Sequence, residues 1–157
     1  MSDTLTITRK LVEGEDRMLV VEKLFGIHFP FLIEPFVYSV AGRMTRGAYD
    51  GGYWLFYTLH HSDWPSPGFF MAPHSDQVYQ VTCDNFWEGE LSADSLGIVC
   101  TLSCYSHLSF SRDERFGRIC ADHYHRLREY MFGHPEVASI LRASDYSQRC
   151  RKPAGIW

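Results

Sequence analysis

The sequence has no apolar run approaching the roughly 18 consecutive residues that a membrane span needs. Its start, Met1-Ser2-Asp3-Thr4, has neither the basic opening nor the apolar stretch of a signal peptide. A cytoplasmic location is therefore the expectation. Internal repeats, low-complexity tracts and long linkers are missing. So are a glycine-rich phosphate loop, a nucleophile-elbow serine and a His-Glu-x-x-His metal motif, which leaves no familiar catalytic signature. Charge of one sign is lacking too: 15 Lys and Arg against 19 Asp and Glu give a formal −4. That is too balanced for a surface that mimics DNA throughout or clamps it by charge alone. Cysteine is scarce and odd in number, with Cys83, Cys100, Cys104, Cys120 and Cys150. In a reducing compartment these are expected to be free thiols that mostly fill core space.

What remains has the proportions of one globular domain: 157 residues, 45% hydrophobic and 22% charged. The expectation is a single domain over 1–157 with its ordered core at about 13–145. Charge is distributed unevenly along it. Residues 1–111 carry 6 basic and 13 acidic side chains, a net of −7, whereas residues 112–157 carry 9 and 6, a net of +3. Solvated helix faces often produce such asymmetry without a partner.

Periodicity predicts helices, then strands, then helices. Met18, Val21, Leu24 and Phe25 recur at helical spacing within 13–25, with Gly26 where a C-cap belongs. Phe29 to Phe31 is compatible with an extended segment, after which Pro35 opens a helix to about Met44 with Phe36, Val37, Val40 and Ala41 along one side. Glycines and Asp50 mark a turn over 46–52 before the aromatic strand Tyr53 to Leu59, apolar on both faces and hence expected to be central. Strands at Phe69 to Ala72, Gln77 to Cys83 and Phe86 to Leu91 follow, the first ended or kept at an edge by Pro73. Ser92 is a natural N-cap for a nearly buried helix over 93–108. A long amphipathic helix runs from Phe116 to Met131, and a short one follows Pro135. The tail from Arg149 to Trp157 reads as irregular. The fold class is α+β: an antiparallel sheet of three to four strands, in one meander, flanked by N-terminal and C-terminal helices.

Four constellations could carry chemistry or contacts. Cys100 and Cys104 share a helix face, and Cys120 and His123 share another, so four soft ligands are available in principle. Each falls on an apolar stripe, however, and no Cys-x-x-Cys pair is present, so core filling is favoured over zinc. His60, His61 and His74 sit in loops within reach of acid–base roles, although eight histidines make such neighbours common. Arg112, Arg115, Arg118, Arg126 and Arg128 suggest a phosphate-binding face, but Asp113, Glu114, Asp122 and Glu129 are interspersed among them, as on a solvated helix. Asp84, Glu88 and Glu90 share a parity opposite Trp87 and Leu91, which would expose an acidic stripe able to meet a basic partner.

Three motifs then occur in order. They are Tyr49-Asp50-Gly51-Gly52-Tyr53-Trp54-Leu55-Phe56-Tyr57-Thr58-Leu59; Gly68-Phe69-Phe70-Met71-Ala72-Pro73; and Gly89-Glu90-Leu91-Ser92-Ala93-Asp94 with Gly97-Ile98-Val99 and Thr101-Leu102. Together they resemble the ArdB/KlcA antirestriction family over roughly residues 18–145. The resemblance implies a protein of plasmids and other mobile elements that alleviates DNA restriction by type I restriction-modification systems without blocking methylation. It implies action by protein interaction rather than catalysis, no cofactor, and as partner a type I restriction enzyme or an associated host factor. The runner-up is a nucleic-acid-binding module acting through the basic C-terminal region. The loop His60 to Pro67 and the basic tail Arg149-Cys150-Arg151-Lys152 depart from the family pattern.

Overall fold

The computed structural model describes residues 6–49 and 52–145; the tail from 149, Cys150 and the turn residues Asp50 and Gly51 lie outside them. The order is β1 (Thr8–Val12), α1 (Asp16–Phe25), a single π-helical turn (Phe29–Ile33), α2 (Glu34–Met44), β2 (Trp54–His60), β3 (Gly68–Pro73), β4 (Val78–Thr82), β5 (Glu88–Ser92), α3 (Ala93–Leu108), α4 (Glu114–Met131) and α5 (Val137–Ser144). The architecture is α+β, and no single helix among the described residues is long and apolar enough to cross a membrane.

The strands form two sheets instead of one meander. β1, β2 and β3 pair antiparallel in that order, while β4 and β5 form a separate hairpin. The physical reason is that α3 occupies the edge of β3 where β4 would have to pair. The Tyr105 hydroxyl donates to the Phe69 carbonyl at 2.7 Å, and the Thr101 hydroxyl, whose proton goes to the Gly97 carbonyl at 2.7 Å, accepts from the Met71 N–H at 3.5 Å. Side chains thus satisfy edge groups that would otherwise template another strand. The helix comes close enough because Gly97 faces the strand: a Cβ there would lie 2.5 Å from the Ala72 Cα and closer still to the Met71 carbonyl oxygen. Gly97, Thr101 and Tyr105 follow one another at four-residue spacing, so they share one face of α3.

β2 is central, as its two apolar faces require. Trp54, Phe56 and Thr58 are buried on one face, and Trp54 meets Tyr38 and Tyr49 edge-on, each at 5.3 Å between ring centroids. β1 escapes periodicity analysis because of its residues only Val12 is buried; pairing with β2 makes it a strand. The segment Phe29 to Phe31 is helical, not extended. The Glu34 N–H reaches back to the Phe29 carbonyl, and the π turn buries Phe29 and Ile33 while leaving Phe31 exposed. α3 is buried almost throughout and touches β3, β5, α2, α4 and α5. Ser92 caps it as expected, accepting from the Ser95 N–H at 3.2 Å.

Gly97→Ala is expected to destabilise the fold by roughly 1–3 kcal/mol, because the clash is with strand backbone and cannot be relieved by a rotamer change. Gly42→Ala is the control. Nothing lies within 4 Å of its Cβ position in α2, so it should be neutral or stabilising by about 0.5–1 kcal/mol. Chemical denaturation of both variants checks the pair.

Candidate functional site

The acidic stripe is partly as expected. The register pairs Thr82 with Glu88 and Gln80 with Glu90, so both glutamates stand on the solvent face of the hairpin while Leu91 is buried beneath. Glu90 accepts a hydrogen bond from the Gln80 amide at 2.6 Å, and Glu88 has no partner among the described residues. Asp84 is exposed too, but it belongs to the turn rather than the strand face, and Arg43 of α2 neutralises it across 3.2 Å. Next to it, buried Asn85 donates through Nδ2 to the carbonyls of Arg142 at 2.7 Å and Asp145 at 2.8 Å, and its Oδ1 accepts from the Trp87 N–H. It therefore satisfies carbonyls that α5 leaves unpaired at its C-terminus, fixing the hairpin in place. The preceding strand and the Asp-Asn turn were legible in the sequence, but this long-range role of Asn85 was not.

The third motif leads into a polar network. Arg9 of β1 reaches the Asp94 carboxylate at 2.7 Å, and its guanidinium lies over the Tyr57 ring, 4.4 Å from the centroid. His134 Nε2 contacts the other Asp94 oxygen at 2.7 Å. The Glu136 N–H donates to His134 Nδ1 at 3.0 Å, which leaves the ring proton on Nε2 pointing at Asp94. Glu136 in turn accepts from the Ser92 hydroxyl at 2.8 Å and the Ser92 N–H at 3.3 Å. Burial alone would raise the Asp94 carboxyl, but the hydrogen bonds from His134 and Arg9 outweigh it and hold it below the usual carboxylate range. A serine, a histidine and an aspartate are thus neighbours, yet not in a catalytic relation. The hydroxyl is engaged by Glu136 and the Ser95 N–H, and both ring nitrogens are engaged.

Cys83, Cys100, Cys104 and Cys120 are buried free thiols. Burial pushes Cys83 up to about 11 and Cys120 up to about 12, and raises Cys100 and Cys104 as well, so all four stay protonated and poorly nucleophilic. His60 Nε2 lies 2.8 Å from the Thr58 hydroxyl, and His61 Nδ1 accepts from the Asp63 N–H at 3.0 Å. His123 is buried against the rings of Phe25 and Tyr105, with Nδ1 lacking any partner; burial, helped by the nearby Arg126 charge, pushes it down to about 3. Arg112, just before α4, and Arg115 and Arg118 on it are exposed, whereas Arg126 and Arg128 are half-buried.

The antirestriction protein family model matches residues 47–145. The chain is 36% identical over 144 residues to the antirestriction protein KlcA of Escherichia coli, covering 88% of this chain and 95% of that protein. It is 37% identical over 145 residues to YafX of Escherichia coli K12, covering 90% and 88%. A solved chain superimposes with a TM-score of 0.80 at 35% identity, covering 92% of this chain and 99% of its own. That chain comes from work describing KlcA and ArdB as having a novel fold and antirestriction activity against type I DNA restriction systems in vivo but not in vitro.

Two pH effects follow. Asp94 is depressed on folding, so its contribution is complete above the usual carboxylate range and is lost as pH falls through its lower folded value. Asp94→Asn should therefore be less stable than the parent at neutral pH by roughly 1–3 kcal/mol, and the gap should close in acid. His123 binds its proton far less readily folded than unfolded, so stability should decline as pH falls from 6.5 toward about 3. His123→Phe should remove that part of the decline. Denaturation midpoints recorded across pH check both.

Proposed function

The chain belongs to the antirestriction protein family, and on that premise we propose that it alleviates DNA restriction by type I restriction-modification systems without blocking methylation. It acts by protein interaction rather than catalysis, on a type I restriction enzyme or an associated host factor, in the cytoplasm. The observation that carries this reading is the likeness, over 92% of the chain, to a solved structure whose description joins this fold to type I antirestriction in vivo. The chemistry of the polar groups supports the non-catalytic part. Ser92 and His134 are engaged in a closed network, and the buried thiols stay protonated. The activity seen in vivo but not in vitro for the solved relatives favours a contact that needs another cellular component.

The partner surface we favour is the hairpin face bearing Glu88 and Glu90, with Asp84 at its end. Unpaired Glu88 and exposed Val78 give it both a charge and an apolar contact for a basic partner. A second reading, nucleic-acid binding through the segment from Arg112 to Lys152, draws on the exposed Arg112, Arg115 and Arg118 of the α4 end. Binding of that kind would weaken steeply with added salt through counterion release, and an anisotropy titration of duplex DNA at low salt separates it.

The expression test is phage plating. Unmodified phage should plate more efficiently on a type I restricting host that expresses the protein, while phage grown there remain modified. Equal plating with and without confirmed soluble protein would remove the proposal. Glu88→Ala combined with Glu90→Ala should keep its stability within roughly 0.5 kcal/mol per substitution, both side chains being exposed, and should lose alleviation. A folded, fully active double variant would move the partner surface elsewhere.

A further inference from the structure

A cavity of about 710 Å³ opens between α1, the β1 and β2 face of the sheet, α4 and the loop carrying Pro65 and Pro67. Its size falls within the roughly 300–1,000 Å³ typical of small-molecule sites. The walls are apolar over Val12, Val20, Leu24 and Ile119. Thr58 and His123 also line it, and His123 is 3% exposed.

His123 is what sets this cavity apart from a surface groove. Neither ring nitrogen has a hydrogen-bond partner among the described residues, and only Nδ1 is sealed from solvent. The other nitrogen, Nε2, is therefore the one that meets the cavity. A buried N–H without a partner is rarer than a buried acceptor without one, so the favoured tautomer keeps Nδ1 bare and turns Nε2–H outward as a donor. Arg126 lines the same space and forms no ion pair among the described residues; it leans toward Trp64, whose ring centre is 6.0 Å from its guanidinium.

The rim is mixed, with Lys10 and Lys23 alongside Glu13, Asp16 and Asp122. Deeper in, Arg126 is the charge that acts on His123. A hydrogen-bond donor beside a guanidinium, under apolar walls, is complementary to an oxyanion attached to an apolar body.

We propose that this cavity is a binding site for a small organic oxyanion, a phosphate monoester or a carboxylate on an apolar body. Arg126 and His123 Nε2–H receive its anionic end, and Val20, Leu24 and Ile119 cover the rest. Lys23 at the rim adds a second, weaker attraction. The site lies on the α1 and α4 side of the three-stranded sheet, whereas the acidic face belongs to the separate hairpin, so it stands independently of how restriction is alleviated.

Phenyl phosphate, benzoate and inorganic phosphate are titrated separately into the full chain labelled with nitrogen-15, and amide shifts are followed. The expected result is saturation by phenyl phosphate or benzoate below roughly 10 mM, with shifts centred on Thr58, Ser66, Ile119 and His123. Which of the two binds identifies the anion. Arg126→Gln and His123→Phe should each weaken binding by about tenfold, and the rim variant Lys23→Gln by roughly threefold; amide spectra of each variant report that it is folded. If either of the first two does not fold, Lys23→Gln decides. Absence of saturation, shifts scattered over the surface, equal affinity for inorganic phosphate, or unchanged affinity in every folded variant would overturn the proposal.

Discussion

A helix that satisfies the backbone of a sheet edge has to come closer to it than a side chain normally permits, and the whole molecule is arranged around one such approach. Gly97 removes the obstructing Cβ, and Thr101 and Tyr105, on the same face of α3, supply the polar atoms that the edge of β3 needs. Once α3 is seated there, the edge is closed to β4, so the hairpin must form a second sheet and find other support. It finds it through α3 itself, through α5, and through the Asn85 contacts to the end of α5. The glycine and threonine of the third motif are thus structural demands of one contact, which explains their place in a family pattern without assigning them a partner.

The same helix brings polar groups together at its N-terminus, where they are consumed. Asp94 is held by Arg9 and His134, and Ser92 is divided between the helix cap and Glu136. A catalytic arrangement keeps a lone pair or a proton available for substrate; here each is already committed. The network fastens β1, the start of α3 and the segment before α5 to one another. Aromatic rings complete it, since Arg9 lies over Tyr57, which in turn stacks on Phe70.

Elements with their own periodicity were legible in the sequence. α3 occupies 93–108 as the cap and apolar content require, α4 ends at Met131 ahead of Gly133, and β2 is the central strand its two apolar faces demand. Elements defined by distant neighbours were not. β1 has one buried residue and owes its conformation to β2, and the π turn at Phe29 arises from the junction of two helices. The single meander failed because alternation reports that a strand exists, not which strand lies beside it. Of the acidic stripe, the exposure of Glu88 and Glu90 could be read from parity, whereas the pairing of Asp84 with Arg43 depends on a contact between residues 41 positions apart. The cavity around His123 had no linear signal, because its walls come from three separate parts of the chain.

The Arg9 to Asp94 contact joins residues 85 positions apart, and the network is completed only by His134 and Glu136. During synthesis, the first strand emerges long before the groups that anchor it. Loop-closure entropy rises only slowly with length, so the delay adds little to the equilibrium cost. Its effect falls on the order of events: a nascent chain ending before residue 134 has no partner for the second Asp94 oxygen. The network is thereby completed only once residues 134 to 136 have been made, and a product truncated before them would leave the start of its buried helix with Arg9 alone to hold Asp94.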